Sequence, residues 1–200
     1  MVHNRPGDFG PQILILTASD NPGGPESVLA GAAARELATA GSDVTQLSLY
    51  DYPLPMIGSD PDAAHIPPVA RALASQIGRH QCLLLVCGEF NASVPVIAKN
   101  MIDWVAMVRQ NSKNSQSIFG QRKIVLANLI GDKTGQSAIG DHLRTVLEAA
   151  GANHVAGTFV FRVSEIATDL EGRLADRTVS VRLRTLYDAL LRDTLTVQSG

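Results

Sequence analysis

A polar loop between an apolar run and an amphipathic helix is the stretch of this sequence best suited to binding a ligand. The loop, GEFNAS, follows the apolar run 83–87 and precedes a segment whose apolar residues recur at helical spacing after Pro95. Asn91 and the peptide groups match the polar rim of a planar heterocycle, and Phe90 has a ring to flank its face. The alternative is that Asn91 and Ser93 cap the helix, which uses the same residue types.

Two other loops have compositions that suit ligand binding. The first, ASDNPGGPES, has adjacent glycines just before a predicted helix, where backbone amides and the helix N-terminus could cradle a phosphate. A plain turn is the alternative, because Asp20 and Glu26 bring negative charge and the loop contains no Arg or Lys. Glu26 also suits the first turn of a helix electrostatically. The third loop, GDKTGQS, contains Gly131 and Thr134 and is compatible with closing over a ligand edge.

Alternating strands and helices position these loops. Strands are predicted at 13–17, 44–49, 83–87, 123–129 and 154–161, and helices at 25–40, 68–78, 95–108, 138–150 and 177–195. This alternation predicts an α/β fold, a three-layer α/β/α sandwich with a five-stranded parallel sheet in the flavodoxin-like order 2-1-3-4-5. The loops after strands 1, 3 and 4 then share the carboxyl edge of the sheet, where ligands bind in such folds. We expect a flexible leader at 1–11, one domain at 12–195 and a tail at 196–200.

Composition excludes several other classes. Of the 200 residues, 45% are hydrophobic and 18% charged, and the net charge of −2 leaves no basic face that would favour nucleic acid. No segment resembles a signal peptide or membrane span. The only cysteines, Cys82 and Cys87, lie on one predicted strand, too far apart to pair, which indicates a reducing, cytoplasmic setting. We expect Cys87 to be buried and inert. No histidines stand at metal-ligand spacing, and neither a hydrolase elbow nor a Walker loop is present.

The segment GEFNASVPVIAKNMIDW resembles a family pattern, P-E-Y-N-x-S-x-P-x-x-x-K-N-x-x-D-W, of the NADPH-dependent FMN reductases. The similarity extends to 47–55 and 143–152 and spans about residues 12 to 195. The residues identical to the pattern are Glu89, Asn91, Ser93, Pro95, Lys99, Asn100, Asp103 and Trp104.

The first loop departs from that family. Its usual pattern, G-S-x-R-x-x-S-x-N, grips the FMN phosphate, but here Asn21 replaces the Arg, Gly24 the second Ser and Glu26 the Asn, and only Ser19 is kept. Losing one charge-assisted hydrogen bond costs roughly 1.5–3 kcal/mol, so we expect weakened phosphate binding. Ser27 and Lys113 are alternative phosphate partners.

The resemblance implies an FMN-dependent NAD(P)H oxidoreductase that passes hydride from the nicotinamide to the flavin and on to a quinone, flavin or similar small-molecule acceptor, with FMN and NADPH as the cofactors. It implies a homodimer or homotetramer with Trp104 and Met107 as candidate interface residues, and no catalytic acid, base or metal ligand is assigned. The implied cofactor-binding residues are Ser19, Asn21, Gly24, Ser27, Gly88, Glu89, Phe90, Asn91, Gly131 and Thr134.

Two alternatives to this enzyme remain. One is a flavodoxin-like binding or regulatory protein that has weakened or lost FMN affinity, as the altered first loop suggests. The other is a one-electron carrier, a class that is usually strongly acidic and is therefore disfavoured by a net charge of only −2.

Overall fold

A computed structural model of the chain describes residues 10–58, 66–110, 117–168 and 174–192. The tail at 196–200 and nearly all of the leader lie outside the described residues. Lys113, one alternative phosphate partner, also lies outside them.

Five parallel strands form one sheet in the order β2-β1-β3-β4-β5, which confirms the predicted topology. The three central strands are apolar and buried almost throughout, as expected when helices cover both faces of a parallel sheet. The edge strands are more exposed, and the register of β4 with β5 shifts between Ile124 and Val125. The strands are β1 Gln12–Ala18, β2 Asp43–Ser48, β3 Cys82–Gly88, β4 Lys123–Ile130 and β5 His154–Arg162.

Five helices complete the predicted three layers. Helices α1 and α5 pack on one face of the sheet, and α2, α3 and α4 pack on the other, each group closing its own hydrophobic cluster. Gly41 and Gly151 follow α1 and α4 with φ of 90° and 92°, the left-handed conformation expected after a helix end. The helices are α1 Pro25–Thr39, α2 Pro68–Arg79, α3 Val96–Gln110, α4 Ile139–Ala149 and α5 Arg177–Leu191.

The largest boundary error falls in α5. We predicted that it reaches residue 195, but Arg192 turns to an extended ψ of 129° and ends it at Leu191. Smaller differences of one or two residues occur at the other helix and strand ends. In the described ranges, no helix combines the length and apolarity needed to cross a bilayer.

Candidate functional site at the carboxyl edge of the sheet

The three predicted loops leave the sheet side by side. Strands β1, β3 and β4 are neighbours and end at matched positions, with Ala18 beside Cys87 and Cys87 beside Asn128. We call the loops that follow them loop 1 (19–24), loop 2 (89–95) and loop 3 (131–138). The convergence expected from the strand order is therefore present, and side-chain hydrogen bonds join loop 2 to loop 3. All the predicted cofactor-binding residues lie on or next to these loops.

Glu89 joins loop 2 to loop 3. Its Oε1 accepts hydrogen bonds from the backbone N–H of Gly131 at 3.2 Å and from the hydroxyl of Thr134. Burial of this carboxylate opposes ionisation, but hydrogen bonds, chiefly from Thr134, and the nearby charge of Arg162 outweigh it and lower the pKa of Glu89. The Glu89 and Thr134 side chains therefore hold the site together, and a ligand would meet the backbone around them.

Loop 2 itself contains a tight two-residue turn. Phe90 and Ser93 pair through reciprocal backbone hydrogen bonds of 3.0 and 3.1 Å, and Asn91 and Ala92 between them have φ of 50° and 59°. Asn tolerates this left-handed region, whereas an Ala there is strained, and such strain concentrates at binding sites. The turn leaves Asn91 exposed and the Phe90 ring 64% exposed, so both predicted contact residues face outward.

The helix-capping alternative for loop 2 is wrong. Helix α3 begins at Val96, which places Pro95, rather than Asn91 or Ser93, immediately before its first residue. The Ser93 hydroxyl instead shares a hydrogen bond of 2.9 Å with Nδ1 of His142 on α4.

Loop 1 is closed around Glu26, a residue of the first turn of α1. The Ser19 hydroxyl donates to Oε2 of Glu26 at 3.5 Å, and that oxygen lies 2.9 Å from where a Cβ on Gly24 would stand. A Cβ on Gly88 would overlap Oε1 of Glu26. The carboxylate therefore fills the space between two predicted ligand-facing glycines, one from loop 1 and one at the end of β3.

The backbone of loop 1 also satisfies itself. The N–H of Asn21 donates to the Ser19 hydroxyl at 3.2 Å, and the N–H of Gly23 donates to the Asn21 side chain at 3.2 Å. The N–H of Gly24 donates to the Asn21 carbonyl at 3.1 Å, and the hydroxyl of Ser27 donates to the same carbonyl at 3.4 Å. These are the donors that a phosphate would need, and the arrangement favours the plain-turn alternative.

Loop 3 is held by a residue that the sequence reasoning missed. Nη1 of Arg162, at the end of β5, donates to the carbonyls of Gly131, Asp132 and Thr134 at 3.3, 3.1 and 3.2 Å. Its position just after the last predicted strand, at the same edge, was the available signal.

Two residues of the motif in α3 act away from the loops. Asn100 accepts from the N–H of Ile57 at 2.9 Å and donates to the carbonyl of Pro55 at 3.0 Å. Trp104 donates from Nε1 to the same carbonyl at 2.7 Å. Both side chains are buried, so they fix the segment after β2; their spacing on one helix face gave no hint of this partner. Trp104 and Met107 are each only 7% exposed, and their interface role stays a prediction.

The two remaining predictions at this edge concern charge and reactivity. Lys99 and Asp103 form the expected exposed pair at 2.6 Å. Cys87 is buried as predicted, and this burial, with a contribution from the charge of Glu26, raises the pKa of its thiol to about 12, which disfavours the reactive thiolate. In the described residues, no cluster of three His, Cys, Asp or Glu side chains could hold a metal ion.

The fold and the three joined loops define a flavodoxin-like α/β protein. The chain belongs to the NADPH-dependent FMN reductase family, whose sequence model matches residues 11–165.

Individual relatives agree with this assignment. A 2-hydroxy-1,4-benzoquinone reductase from Burkholderia sp is 32% identical over 93 residues, which are 46% of this chain and 48% of that protein. An uncharacterized protein of Mycoplasma pneumoniae is 34% identical over 68 residues, 34% of this chain and 41% of its own. The matched regions thus span less than half the length of these curated relatives.

Solved structures show the shared fold. An NADH:FMN oxidoreductase in its apo form superposes with a TM-score of 0.65 at 16% identity, covering 95% of this chain and 91% of that one. The NAD(P)H:acceptor oxidoreductase FerB of Paracoccus denitrificans gives 0.61 at 19% identity, with 90% and 95% covered. An azoreductase of Bacillus anthracis gives 0.57 at 17%, with 90% and 97% covered.

Proposed function

We propose that this protein is a flavin-dependent NAD(P)H oxidoreductase that delivers reducing equivalents to a quinone, a flavin or a similar small-molecule acceptor. The observation that carries the proposal is the joined pair of loops 2 and 3: Glu89 bonds loop 2 to loop 3, beside a turn that exposes Phe90 and Asn91. Family membership supports FMN as the flavin and NADPH as the electron donor.

The half of the site formed by loops 2 and 3 fits a flavin ring. An exposed aromatic ring, an exposed amide side chain and the peptide groups of a rigid turn are the groups that hold the polar edge of a flat heterocycle. A bound flavin supplies the hydride transfer, while the protein supplies binding, orientation and exclusion of water. We therefore assign Gly88, Phe90 and Asn91 to ring contact and Glu89, Gly131 and Thr134 to fixing the loops.

The half formed by loop 1 does not fit a phosphate as it stands. Its N–H groups bond within the loop, and the Glu26 carboxylate stands between Gly24 and Gly88. The assignment of Ser19, Asn21, Gly24 and Ser27 to the FMN phosphate thus receives no support from the contacts of loop 1.

Two properties of the assembled protein remain proposals from family resemblance. We propose that the chain works as a homodimer or homotetramer, and that it acts in the cytoplasm.

A flavodoxin-like binding protein without flavin affinity is the second candidate, and Glu26 is the observation that favours it. The test is to purify the protein, titrate FMN and riboflavin by quenching of flavin fluorescence, and follow NADPH oxidation with a quinone added. Saturable flavin binding together with quinone-dependent NADPH oxidation would support the reductase. If neither flavin binds and NADPH is oxidised no faster than in the absence of protein, the second candidate, a binding protein without flavin affinity, would be supported instead.

The ring assignment has its own variant and matched control. Asn91→Ala removes the exposed amide and should weaken binding of both flavins several-fold. The control is Arg35→Ala, because Arg35 lies on α1 beside residues of α5 and away from the loops. This substitution should leave the affinities for both flavins unchanged. Equal affinities for the Asn91 variant and the wild type would contradict the placement of the ring against loop 2.

A further inference from the structure

Glu26 places a carboxylate where the resemblance leads one to expect an anion. Its two oxygens face Gly88 on one side and Gly24 on the other, and the Ser19 hydroxyl is its hydrogen-bond partner at 3.5 Å. Gly24 and Gly88 carry no side chains that would cover these two oxygens, and Glu26 is only partly buried.

No cation of loop 1 offsets this charge. Residues 19–27 contain no Lys or Arg, and they include Asp20 as a second carboxylate. Arg162, at the same edge of the sheet, already donates to three carbonyls of loop 3. A phosphate dianion entering loop 1 would therefore meet like charge, and loop 1 itself supplies no cation to offset it.

An uncharged hydroxyl group of a ligand, unlike a phosphate, suits the side chains at loop 1. A hydroxyl can donate to the Glu26 carboxylate and accept from the side-chain amide of Asn21, which lies 3.1 Å from the Cβ position of Gly24. Hydrogen bonds to a charged acceptor are stronger than neutral ones, so the carboxylate that repels a phosphate attracts a hydroxyl.

We propose that Glu26 sets the flavin specificity of this protein: loop 1 receives the free 5′-hydroxyl of an unphosphorylated flavin, riboflavin, and rejects the phosphate of FMN. The proposal rests on the proposed function, since it presupposes that a flavin ring binds at loops 2 and 3. It changes which flavin the site takes and leaves the ring contacts as they are.

The test compares FMN with riboflavin in the wild type, in Glu26→Gln and in the control Glu36→Gln. Glu36 lies on the same helix about 15 Å along it, beyond the Debye length of about 10 Å at 0.1 M salt. Dissociation constants come from fluorescence titrations at that salt, and circular dichroism checks that each variant is folded. Glu26→Asn, which restores the family residue, serves as a second variant if Glu26→Gln does not fold.

The wild type should bind riboflavin at least as tightly as FMN. Glu26→Gln should shift the ratio of the two constants toward FMN by about ten-fold, the effect of roughly 1.4 kcal/mol. Glu36→Gln should leave the ratio unchanged. In the wild type, the preference for riboflavin should also grow from about pH 5 to about pH 8, because a phosphate monoester gains its second charge near pH 6.

Three results would overturn the proposal. Tighter binding of FMN than riboflavin by the wild type would refute it while leaving the flavin function intact. An unchanged ratio in Glu26→Gln, or an equal change in Glu36→Gln, would remove Glu26 as the determinant. Absence of binding of both flavins by every variant would refute the proposed function, and the specificity with it.

Discussion

Glu89 and Glu26 are carboxylates at the same edge of the sheet, yet their surroundings are opposite. Glu89 accepts from a backbone N–H and a hydroxyl and lies near the Arg162 charge. Glu26 has one long hydrogen bond to Ser19 among the described residues, and two glycines stand where side chains would enclose it. The comparison teaches that a carboxylate surrounded by donors is part of the scaffold, whereas one left open is available to act on a ligand.

The strongest way to break the scaffold half is Arg162→Ala. Removing the guanidinium leaves three carbonyls of loop 3 without their donor, and we expect the free energy of unfolding to fall by about 2–3 kcal/mol. Urea denaturation measures this difference. Arg71→Ala, an exposed arginine on α2, should change stability by less than about 0.5 kcal/mol. Equal effects of the two substitutions would show that Arg162 does not hold loop 3.

The open half is tested by restoring the charge pattern of the family in loop 1. The double variant Asn21→Arg, Glu26→Asn adds a cation and removes the carboxylate, so FMN should bind about 10- to 100-fold more tightly, a gain of roughly 1.5–3 kcal/mol. Riboflavin loses the charged acceptor for its hydroxyl in this variant, so it should bind several-fold more weakly than it binds the wild type. An unchanged FMN affinity in this variant would mean that the phosphate does not reach loop 1.

The hydrogen bonds from loop 3 to Glu89 should make the stability of the protein depend on pH in the acid range. The folded-state pKa of Glu89 is lowered, so its contribution is complete above the unfolded-state pKa, about 4.3, and is lost as the pH falls through the folded-state value. Glu89→Gln should therefore be about 1 kcal/mol less stable than the wild type at pH 7. The difference in stability between the wild type and the variant should disappear in acid. Urea denaturation at several pH values measures it, and a difference that stays constant from pH 7 to pH 3 would contradict a role for the ionised Glu89 side chain.

The smallest effect concerns the strained turn of loop 2. Ala92→Gly should stabilise the protein by about 0.5–1 kcal/mol, because relief of the left-handed strain exceeds the added freedom of glycine in the unfolded chain. The same substitution at the exposed Ala72 inside α2 should instead destabilise it by about 1 kcal/mol. Thermal unfolding of both variants checks the opposite signs, and a loss of stability at Ala92 would refute the strain.

The sheet order and the meeting of the three loops were predictable because they follow from local pattern. Apolar runs specify buried strands, and adjacent parallel strands must end at one edge. The interior of the site was not predictable in the same way. Whether Glu26 turns into its own loop depends on a rotamer, and the bond from Trp104 to Pro55 joins residues 49 positions apart. Such contacts leave no periodic signal in the sequence.

The end of α5 and the contacts of Arg162 were both missed because neither has a distinctive local pattern in the sequence. The residues after Leu191 continue a helical pattern well enough to predict four more residues, but the backbone leaves the helical conformation at Arg192. No role was predicted for Arg162, because its position after the last predicted strand does not distinguish an arginine facing solvent from one that bonds three carbonyls.

The bond between the last strand and loop 3 has a consequence for how the protein is made. A ribosome delivers loop 1 and loop 2 well before residue 162, and domains fold from the N-terminus as they emerge. The carbonyls of loop 3 accept hydrogen bonds from Arg162 in β5. Loop 3 therefore reaches its final form only when most of the chain has been synthesised. A nascent chain stopped before that point would carry every residue of the three loops and still lack a finished receptor for its ligand.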